Sequence, residues 1–283
     1  GHRGALGDGP LIEGRCGDTE RVAAAMAEHG VEAVVHLAAL SLVGDSMRDP
    51  GRYWRHNVGQ AAGLLDACRQ ADVQRFVLSS TAAVYGEPEQ VPIEEDHPLQ
   101  PTSPYGATKK AIEEMLEHFE AASGLAWVSL RYFNAAGACP DGGCGEDHDP
   151  ETHLIPLALQ AAAGRRGPLT VFGRDYPTRD GTCLRDYIHV YDLAQAHVRA
   201  LEWLEAGAGE RLVCNLGAEQ GTSVQEMLDA IAEVTGREVP HEDGPRRAGD
   251  PAVLVASNAR AKQELGWEPS RSEIATIVRD AWA

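Results

Sequence analysis

Ala33-Val34-Val35-His36-Leu37-Ala38 is the stretch that indicates the fold, because a short apolar run of this kind predicts a buried strand of a parallel sheet. Residues 75–80 and residues 127–133 have the same apolar character. Helices are predicted between these runs, over about residues 45–71 and 103–124. Strands that alternate with helices predict an α/β fold in which helices cover both faces of a parallel sheet.

Small or polar residues follow each of these predicted strands. Ala38 and Ala39 follow the first strand, Thr81 follows the second, and Asn134 follows the third. Ligands of open parallel sheets bind at the carboxyl ends of the strands, so we expect a cofactor cleft at this edge. An alternative is that small residues only allow close helix packing. That alternative explains Ala38 and Ala39 well, but it explains Thr81 and Asn134 less well.

The composition of the sequence changes after Asn134, where Gly, Pro, Asp and His become frequent before short predicted helices and strands resume. We therefore predict two domains. Residues 1–134 form the sheet domain, to which residues 174–206 partly return, and residues 135–283 form a smaller α/β substrate domain. Within the second region, residues 174–187 are predicted to be a polar loop.

Tyr105 and Lys109 are predicted to lie on one inward face of a helix, because they are four residues apart and continue the apolar stripe of Ile112 and Leu116. A free tyrosine has a pKa near 10, and lowering it to 7 requires roughly 4 kcal/mol. A nearby ammonium favours the phenolate, so this pair is a candidate proton-transfer site. The alternative is a buried tyrosine beside a lysine whose stem merely packs on apolar surface.

Composition limits the classes of function. The chain has 283 residues, 43% of them hydrophobic, and a formal net charge of −18. This charge argues against binding to nucleic acid or to anionic membranes. No apolar run is as long as a membrane span, and residues 1–4 lead into no signal-peptide core. The six scattered cysteines are typical of reduced thiols in a cytoplasmic protein. Cys139 and Cys144 lie near His148 and His153, but their spacing matches no standard zinc pattern, so no metal is predicted.

Four motifs resemble those of one family. Residues 79–86, 104–109 and 131–137 resemble the extended short-chain dehydrogenase/reductase family. Residues 176–190 narrow the resemblance to the bacterial UDP-glucose 4-epimerases within that family. The match extends over the whole chain, and four motifs in family order are far more specific than Tyr105 and Lys109 alone.

The resemblance implies an isomerase with tightly held NAD in residues 1–134, which interconverts UDP-glucose and UDP-galactose. A hydride passes from sugar C4 to NAD and returns to the other face of the 4-keto sugar. Tyr105 is implied as the base, Thr81 as its hydrogen-bonding partner at the sugar 4-oxygen, and Lys109 as the group that binds the ribose and lowers the pKa of Tyr105. A homodimer through the helices near residues 46–70 and 105–123 is also implied.

The binding residues follow from the same resemblance. The implied cofactor residues are Asp18, Thr19, Leu37, Ala38, Ala39, Asn57, Ser79, Tyr105, Lys109 and Phe133. The implied UDP-sugar residues are Thr81, Tyr105, Asn134, Leu154, Thr170, Val171, Phe172, Arg185, Arg247 and Asp250. For each arginine, an ordinary surface ion pair is the alternative role.

The sequence departs from the family pattern in three places. Gly4, Gly7 and Gly9 neither follow a strand nor have the family's glycine spacing, so we expect the first βαβ unit of a Rossmann-like sheet to be absent. Ser41 stands where a lysine near the nicotinamide is expected. Leu254 stands where many relatives have a tyrosine, and less bulk there is associated with acceptance of N-acetylated sugars.

Three other functions are alternatives to this interpretation. A nucleotide-sugar 4,6-dehydratase needs an acid and a base after the active-site threonine, but Ala82 and Ala83 exchange no protons. A UDP-N-acetylglucosamine or UDP-pentose 4-epimerase needs the same machinery and differs only in its pocket. A non-catalytic nucleotide-sugar-binding relative remains the alternative outside enzymes.

Overall fold

The computed structural model of the chain describes residues 6–7, 9–247 and 250–282, so the predictions made on residues 1–4 lie outside the described residues. The strands are β1 (Val34–His36), β2 (Arg75–Thr81), β3 (Ala126–Tyr132), β4 (Asn134–Ala136), β5 (Leu169–Phe172), β6 (Leu184–His189), β7 (Arg211–Leu216), β8 (Gly221–Ser223), β9 (His241–Gly244) and β10 (Val253–Leu254). The helices are α1 (Thr19–His29), α2 (Val43–Arg48), α3 (Pro50–Tyr53), α4 (Gly59–Gln70), α5 (Pro104–Ser123), α6 (Leu154–Ala162), α7 (Val190–Glu205), α8 (Val224–Thr235), α9 (Ala259–Leu265) and α10 (Ile274–Trp282).

A parallel sheet of four strands, in the order β1-β2-β3-β7, forms the centre of the fold. Side chains alternate across it because successive residues of a strand point to opposite faces. Phe76 and Leu78 of β2 pack with Leu116 of α5, in a core shared with α1 and α4. Val77 points the other way and packs with Leu193 of α7, in a core shared with α9. The α/β fold with helices on both faces is therefore confirmed.

Helix α5 begins and ends where local chemistry predicts. The Ser103 hydroxyl oxygen accepts a hydrogen bond from the Gly106 amide at 3.1 Å, and Pro104 occupies the first turn, where its missing N–H costs nothing. Gly124 ends the helix with φ of 71°, a left-handed conformation that glycine adopts without strain. A Cβ on Gly106 would lie 2.3 Å from the Ala83 carbonyl oxygen, so glycine lets α5 approach the end of β2 closely.

The remaining strands form two smaller sheets. In one, β6 pairs with β10 and β4 in parallel and with β8 in antiparallel orientation; in the other, β5 pairs with β9. Helices α6, α8 and α10 bury a separate core there, which includes Ile155, Val171, Met227 and Ile277. The division into domains at residue 134 stays a prediction. Strand β7 and helix α9 come from the predicted second domain, but they contribute to the first sheet and its core.

One local prediction was wrong in detail. The predicted polar loop over residues 174–187 ends earlier, because residues 184–187 already belong to β6 and hydrogen-bond to strands on both sides. The predicted helical region over about residues 45–71 is helical in several pieces, with a π-helical turn at Trp54–Val58 between α3 and α4. In the described part of the chain, no helix has both the length and the apolar character needed to cross a bilayer. All six cysteines are free thiols.

Candidate active site

Tyr105 and Thr81 meet at the carboxyl end of β2. Thr81 is the last residue of that strand, and Tyr105 lies in the first turn of α5. The Thr81 hydroxyl lies beside the Tyr105 phenol, and its oxygen accepts a hydrogen bond from the Ala83 amide at 3.2 Å. Burial raises the pKa of Tyr105 to about 12, although the neighbouring Thr81 hydroxyl opposes this shift. The phenol is therefore protonated in the protein alone, and added positive charge is needed to make it a base.

Lys109 brings a buried positive charge one helical turn beyond Tyr105. The side chain is only 2% exposed, and Nζ donates to the Ser79 carbonyl oxygen at 2.6 Å. Burial lowers the pKa of Lys109 to about 8, and the Glu113 carboxylate opposes that shift. The ammonium is consequently still charged at neutral pH.

His36, the last residue of β1, is a neutral neighbour of this charge. Burial, with a further contribution from the Lys109 charge, lowers the pKa of His36 to about 4. Its buried Nε2 atom has no hydrogen-bond partner among the residues that the structure describes. A buried polar atom without a partner costs free energy, so this nitrogen is available to a group that binds beside β1.

Asn57 fastens the loop after β1 to α5. Its Oδ1 accepts from the Leu40 amide at 2.8 Å, and its Nδ2 donates to the Leu40 carbonyl and to the Thr108 hydroxyl oxygen, both at 3.0 Å. The π-helical turn carries this side chain, which is 1% exposed. Because the amide group is occupied by the protein, we infer that Asn57 acts on a cofactor through the position of residues 37–40.

Leu37, Ala38 and Ala39 present an exposed apolar surface at the end of β1, with 63% of Leu37 exposed. Together with the unpaired His36 nitrogen and the Lys109 ammonium, they fit a ligand with a flat ring and a polar ribose. A nicotinamide nucleotide is such a ligand, and the residues that the sequence predicts for it therefore suit it here.

Most of the other predicted cofactor residues use their side chains for contacts within the protein. The Ser79 hydroxyl pairs with His197 Nε2 of α7 at 2.9 Å, so only its carbonyl oxygen contacts Lys109. The Thr19 hydroxyl donates to the Gly63 carbonyl at 3.0 Å, and Asp18 is exposed at the start of α1. Phe133 packs beside the small core around Tyr85.

A cavity of about 460 Å³ lies between the two smaller sheets and α6. Among the residues lining it are Asn134, Leu154, Thr170, Val171, Phe172, Arg185, Arg247 and Asp250. The structure thus brings together every predicted UDP-sugar residue except Thr81 and Tyr105, which do not line this cavity. Asn134 directly follows Phe133 and β3, and it links the cavity to the catalytic end of the central sheet.

Two guanidinium groups of the predicted substrate site, those of Arg185 and Arg247, line the cavity. Arg185 forms an ion pair with Asp250 and donates to the Leu184 carbonyl at 2.7 Å. The Arg247 guanidinium stacks over the Phe172 ring, 4.1 Å from its centroid. The Asn134 side chain donates to the Asp186 carbonyl at 2.9 Å. Planar guanidinium groups suit the paired oxygens of a diphosphate.

Sequence reasoning missed several residues that line the cavity, among them Tyr187, Glu146 and His153. Tyr187 lies two residues after Arg185, so both point to one side of β6. The period of two would have identified it if residues 184–187 had been assigned to a strand. Glu146 and His153 lie in a loop whose course no local pattern predicts.

Known proteins share this architecture. Residues 1–217 match the NAD dependent epimerase/dehydratase family. The UDP-glucose 4-epimerase of Corynebacterium glutamicum is 54% identical over 284 residues, which cover all of this chain and 84% of that protein.

Solved structures agree with the sequence matches. The UDP-glucose 4-epimerase of Brucella ovis in complex with NAD is 49% identical, with a TM-score of 0.97 over all of this chain and 86% of that one. The enzyme of Bifidobacterium longum in complex with NAD⁺ and UDP is 34% identical, with a TM-score of 0.89 over 96% of this chain and 81% of that one. The parallel sheet, the Tyr105–Thr81 pair and these matches lead to one conclusion: the chain belongs to the NAD dependent epimerase/dehydratase family.

Proposed function

We propose that this chain is an NAD-dependent isomerase that interconverts UDP-glucose and UDP-galactose by inverting C4 of the sugar. The observation that carries the proposal is that the Tyr105 phenol lies beside the Thr81 hydroxyl at the carboxyl end of β2, with the buried Lys109 ammonium one turn away. The curated relatives, which are about half identical over the full chain, support the same reaction.

The proposed roles follow from the chemistry of the three side chains. Bound NAD supplies a site that takes a hydride from C4 and returns it. Tyr105 accepts the proton of the 4-hydroxyl, and the Thr81 hydroxyl hydrogen-bonds the same oxygen and relays the proton. Lys109 contributes positive charge that, with the cationic nicotinamide, lowers the raised pKa of Tyr105 toward neutrality. The proton then returns from Tyr105 to the sugar oxygen.

The cavity is proposed to hold the nucleotide end of the substrate. Arg185 and Arg247 bind the diphosphate, Asn134 contacts it from the end of β3, and residues 170–172 lie along the nucleotide. Because the anchoring groups bind the UDP moiety, the sugar itself is free to turn and to present either face to the cofactor. This arrangement explains how one site can handle both epimers.

Tyr105→Phe is the direct test. The change removes the proton acceptor and keeps the ring, so we expect UDP-galactose turnover to fall by a factor of about 10² to 10⁴. Co-purifying nicotinamide, measured by absorbance and mass, is expected to be retained. The matched control is Tyr191→Phe, an exposed tyrosine of α7. Undiminished turnover by the Tyr105 variant would overturn the assignment of the base.

A second candidate activity concerns N-acetylated sugars. Leu254, like Phe133 and Ala82, packs against the small core that includes Tyr85, and a tyrosine would occupy more space there. We propose that UDP-N-acetylgalactosamine is also a substrate. Leu254→Tyr is expected to reduce its turnover at least tenfold while UDP-galactose turnover changes by less than about threefold, because added bulk excludes the acetamido group. A wild-type protein with no activity on the N-acetylated sugar contradicts this proposal.

Assembly and location are further proposals. Met47 and Trp54 are large apolar side chains that are exposed on the helices near residues 46–70, which supports a homodimer there. Light scattering after gel filtration tests it, and a monomer at micromolar concentration contradicts it. The free thiols and the net charge of −18 support a cytoplasmic enzyme without nucleic-acid or membrane partners.

A further inference from the structure

The loop before α6 carries two Glu-x-His pairs in succession, Glu146 with His148 and Glu151 with His153. In each pair the imidazole Nδ1 faces the carboxylate of its own partner, at 2.7 Å for His153 and Glu151. The two imidazole rings also lie against one another, with their centroids 5.2 Å apart and their planes tilted by 55°. Four groups able to bind a metal therefore converge in eight residues of loop.

We propose that Glu146, His148, Glu151 and His153 form a binding site for a divalent transition-metal ion, of which Zn²⁺ is the representative. One ligand atom from each of the four residues lies within 4.8 Å of the others. Two imidazole nitrogens and two carboxylate oxygens are a donor set that zinc accepts. The inference concerns this loop alone and does not depend on the proposed function.

The geometry requires only a small contraction. Zinc bonds to nitrogen and oxygen are about 2.0–2.2 Å long, so ligand atoms around a tetrahedral ion lie roughly 3.4 Å apart. The four atoms already lie within 4.8 Å of one another, and three of the four side chains are exposed and free to turn. A neutral imidazole that binds the ion through one ring nitrogen keeps its proton on the other, so the ion takes the place of the hydrogen bond between each imidazole and its carboxylate.

Two of the four proposed ligands also line the cavity, so a bound ion would affect it. Glu146 and His153 both line the cavity that also contains Arg185 and Arg247. A bound ion would tie residues 146–148 to residues 151–153 and so fix one wall of the cavity. It would also replace the net negative charge of two carboxylates with a site that is neutral overall.

The test is a calorimetric titration of ZnCl₂ into metal-depleted wild-type protein and into His148→Ala/His153→Ala. We expect one ion per chain for the wild type and at least a tenfold weaker affinity for the double variant. His118→Ala, an exposed histidine on α5, and Cys139→Ser/Cys144→Ser, the thiols of the same loop, are the controls and should bind as the wild type does.

Several results would overturn the site. Equal affinity in the wild type and the histidine variant would place the ion elsewhere, and loss of binding in the cysteine variant would assign it to the thiols. No saturable binding would show that the loop holds only two His–Glu pairs. The ligands lie in a loop outside the buried cores, so thermal unfolding should confirm that all variants are folded. The titration contains no UDP-sugar, and a negative result leaves the epimerase proposal unchanged.

Discussion

The buried Lys109 ammonium lowers the stability of the fold and provides positive charge beside the proposed base. This ammonium is almost fully buried and has a single hydrogen bond, to the Ser79 carbonyl. The drop of its pKa from 10.5 to about 8 corresponds to a cost on the order of 3 kcal/mol while the group is charged. A protein selected for stability alone would place an apolar side chain there.

Lys109→Met is therefore expected to raise the free energy of unfolding by about 1–3 kcal/mol at pH 7 and to abolish epimerisation. The folded pKa lies below the unfolded one, so the penalty is complete below pH 8 and disappears as the pH rises to about 10.5. Urea unfolding of both proteins at pH 7 and pH 10 measures the difference. The control is Lys110→Met, a half-buried neighbour whose change should matter little. A stability difference that does not narrow at pH 10 contradicts this explanation.

At the scale of elements, a buried ion pair joins α5 to β3. The Glu113 carboxylate accepts from Arg131 at 2.6 Å and 3.0 Å, and also from Ser80 at 2.6 Å and Ser129 at 2.7 Å. Arg131 in turn donates to the Tyr85 hydroxyl at 3.0 Å. The carboxylate is thus satisfied from two strands, and this network holds the helix that carries Tyr105 and Lys109.

Arg131→Met should lower the free energy of unfolding by about 3–5 kcal/mol, because Glu113 would remain buried without its counter-charge. The matched control is Arg211→Met, which breaks an exposed pair with Glu117 on the same helix and should cost about 1 kcal/mol or less. Denaturant unfolding of the two variants provides the comparison. Equal losses in both would mean that burial of the Glu113 pair has no special effect.

Some helices and strands could be predicted from the sequence, and others could not. The start and end of α5 were predictable because each is set by residues in its own terminal turn. Ser103 and Pro104 begin the helix, and Gly124 ends it. Strands β8, β9 and β10 have two to four residues each and exist through pairing with distant partners, so no local period marks them. The early start of β6 was missed for the same reason, since polar residues at 185 and 186 resemble a loop until their neighbours are known.

For the whole molecule, the predicted site residues fall into two groups. Thr81, Tyr105 and Lys109 lie at the end of the central sheet, whereas the predicted nucleotide residues line the cavity between the smaller sheets. Spacing within a helix predicted the relation of Tyr105 to Lys109. The convergence of Arg185 with Arg247 depends on the fold of the 61 residues between them, and only the family resemblance anticipated it.

This separation predicts that UDP binding is independent of the base. Saturation with UDP at about 100 times its dissociation constant should stabilise both the wild type and Tyr105→Phe by about 2.7 kcal/mol. Arg247→Ala should weaken UDP binding at least tenfold, because a charged hydrogen bond to phosphate is worth about 1.5–3 kcal/mol. Thermal shifts with and without UDP measure both effects. Arg237→Ala, which removes an arginine stacked on Trp282, is the control, and an equal loss in that variant would contradict the assignment.

Ser79 links the two helical layers through a single residue of the sheet. Its carbonyl oxygen receives the Lys109 ammonium from α5, while its hydroxyl meets the His197 ring from α7. Any movement of α7 relative to the sheet therefore reaches the reactive ammonium through one intervening residue. The α7 layer of helices thus helps to set the position of a charge that lies on the other face of the sheet.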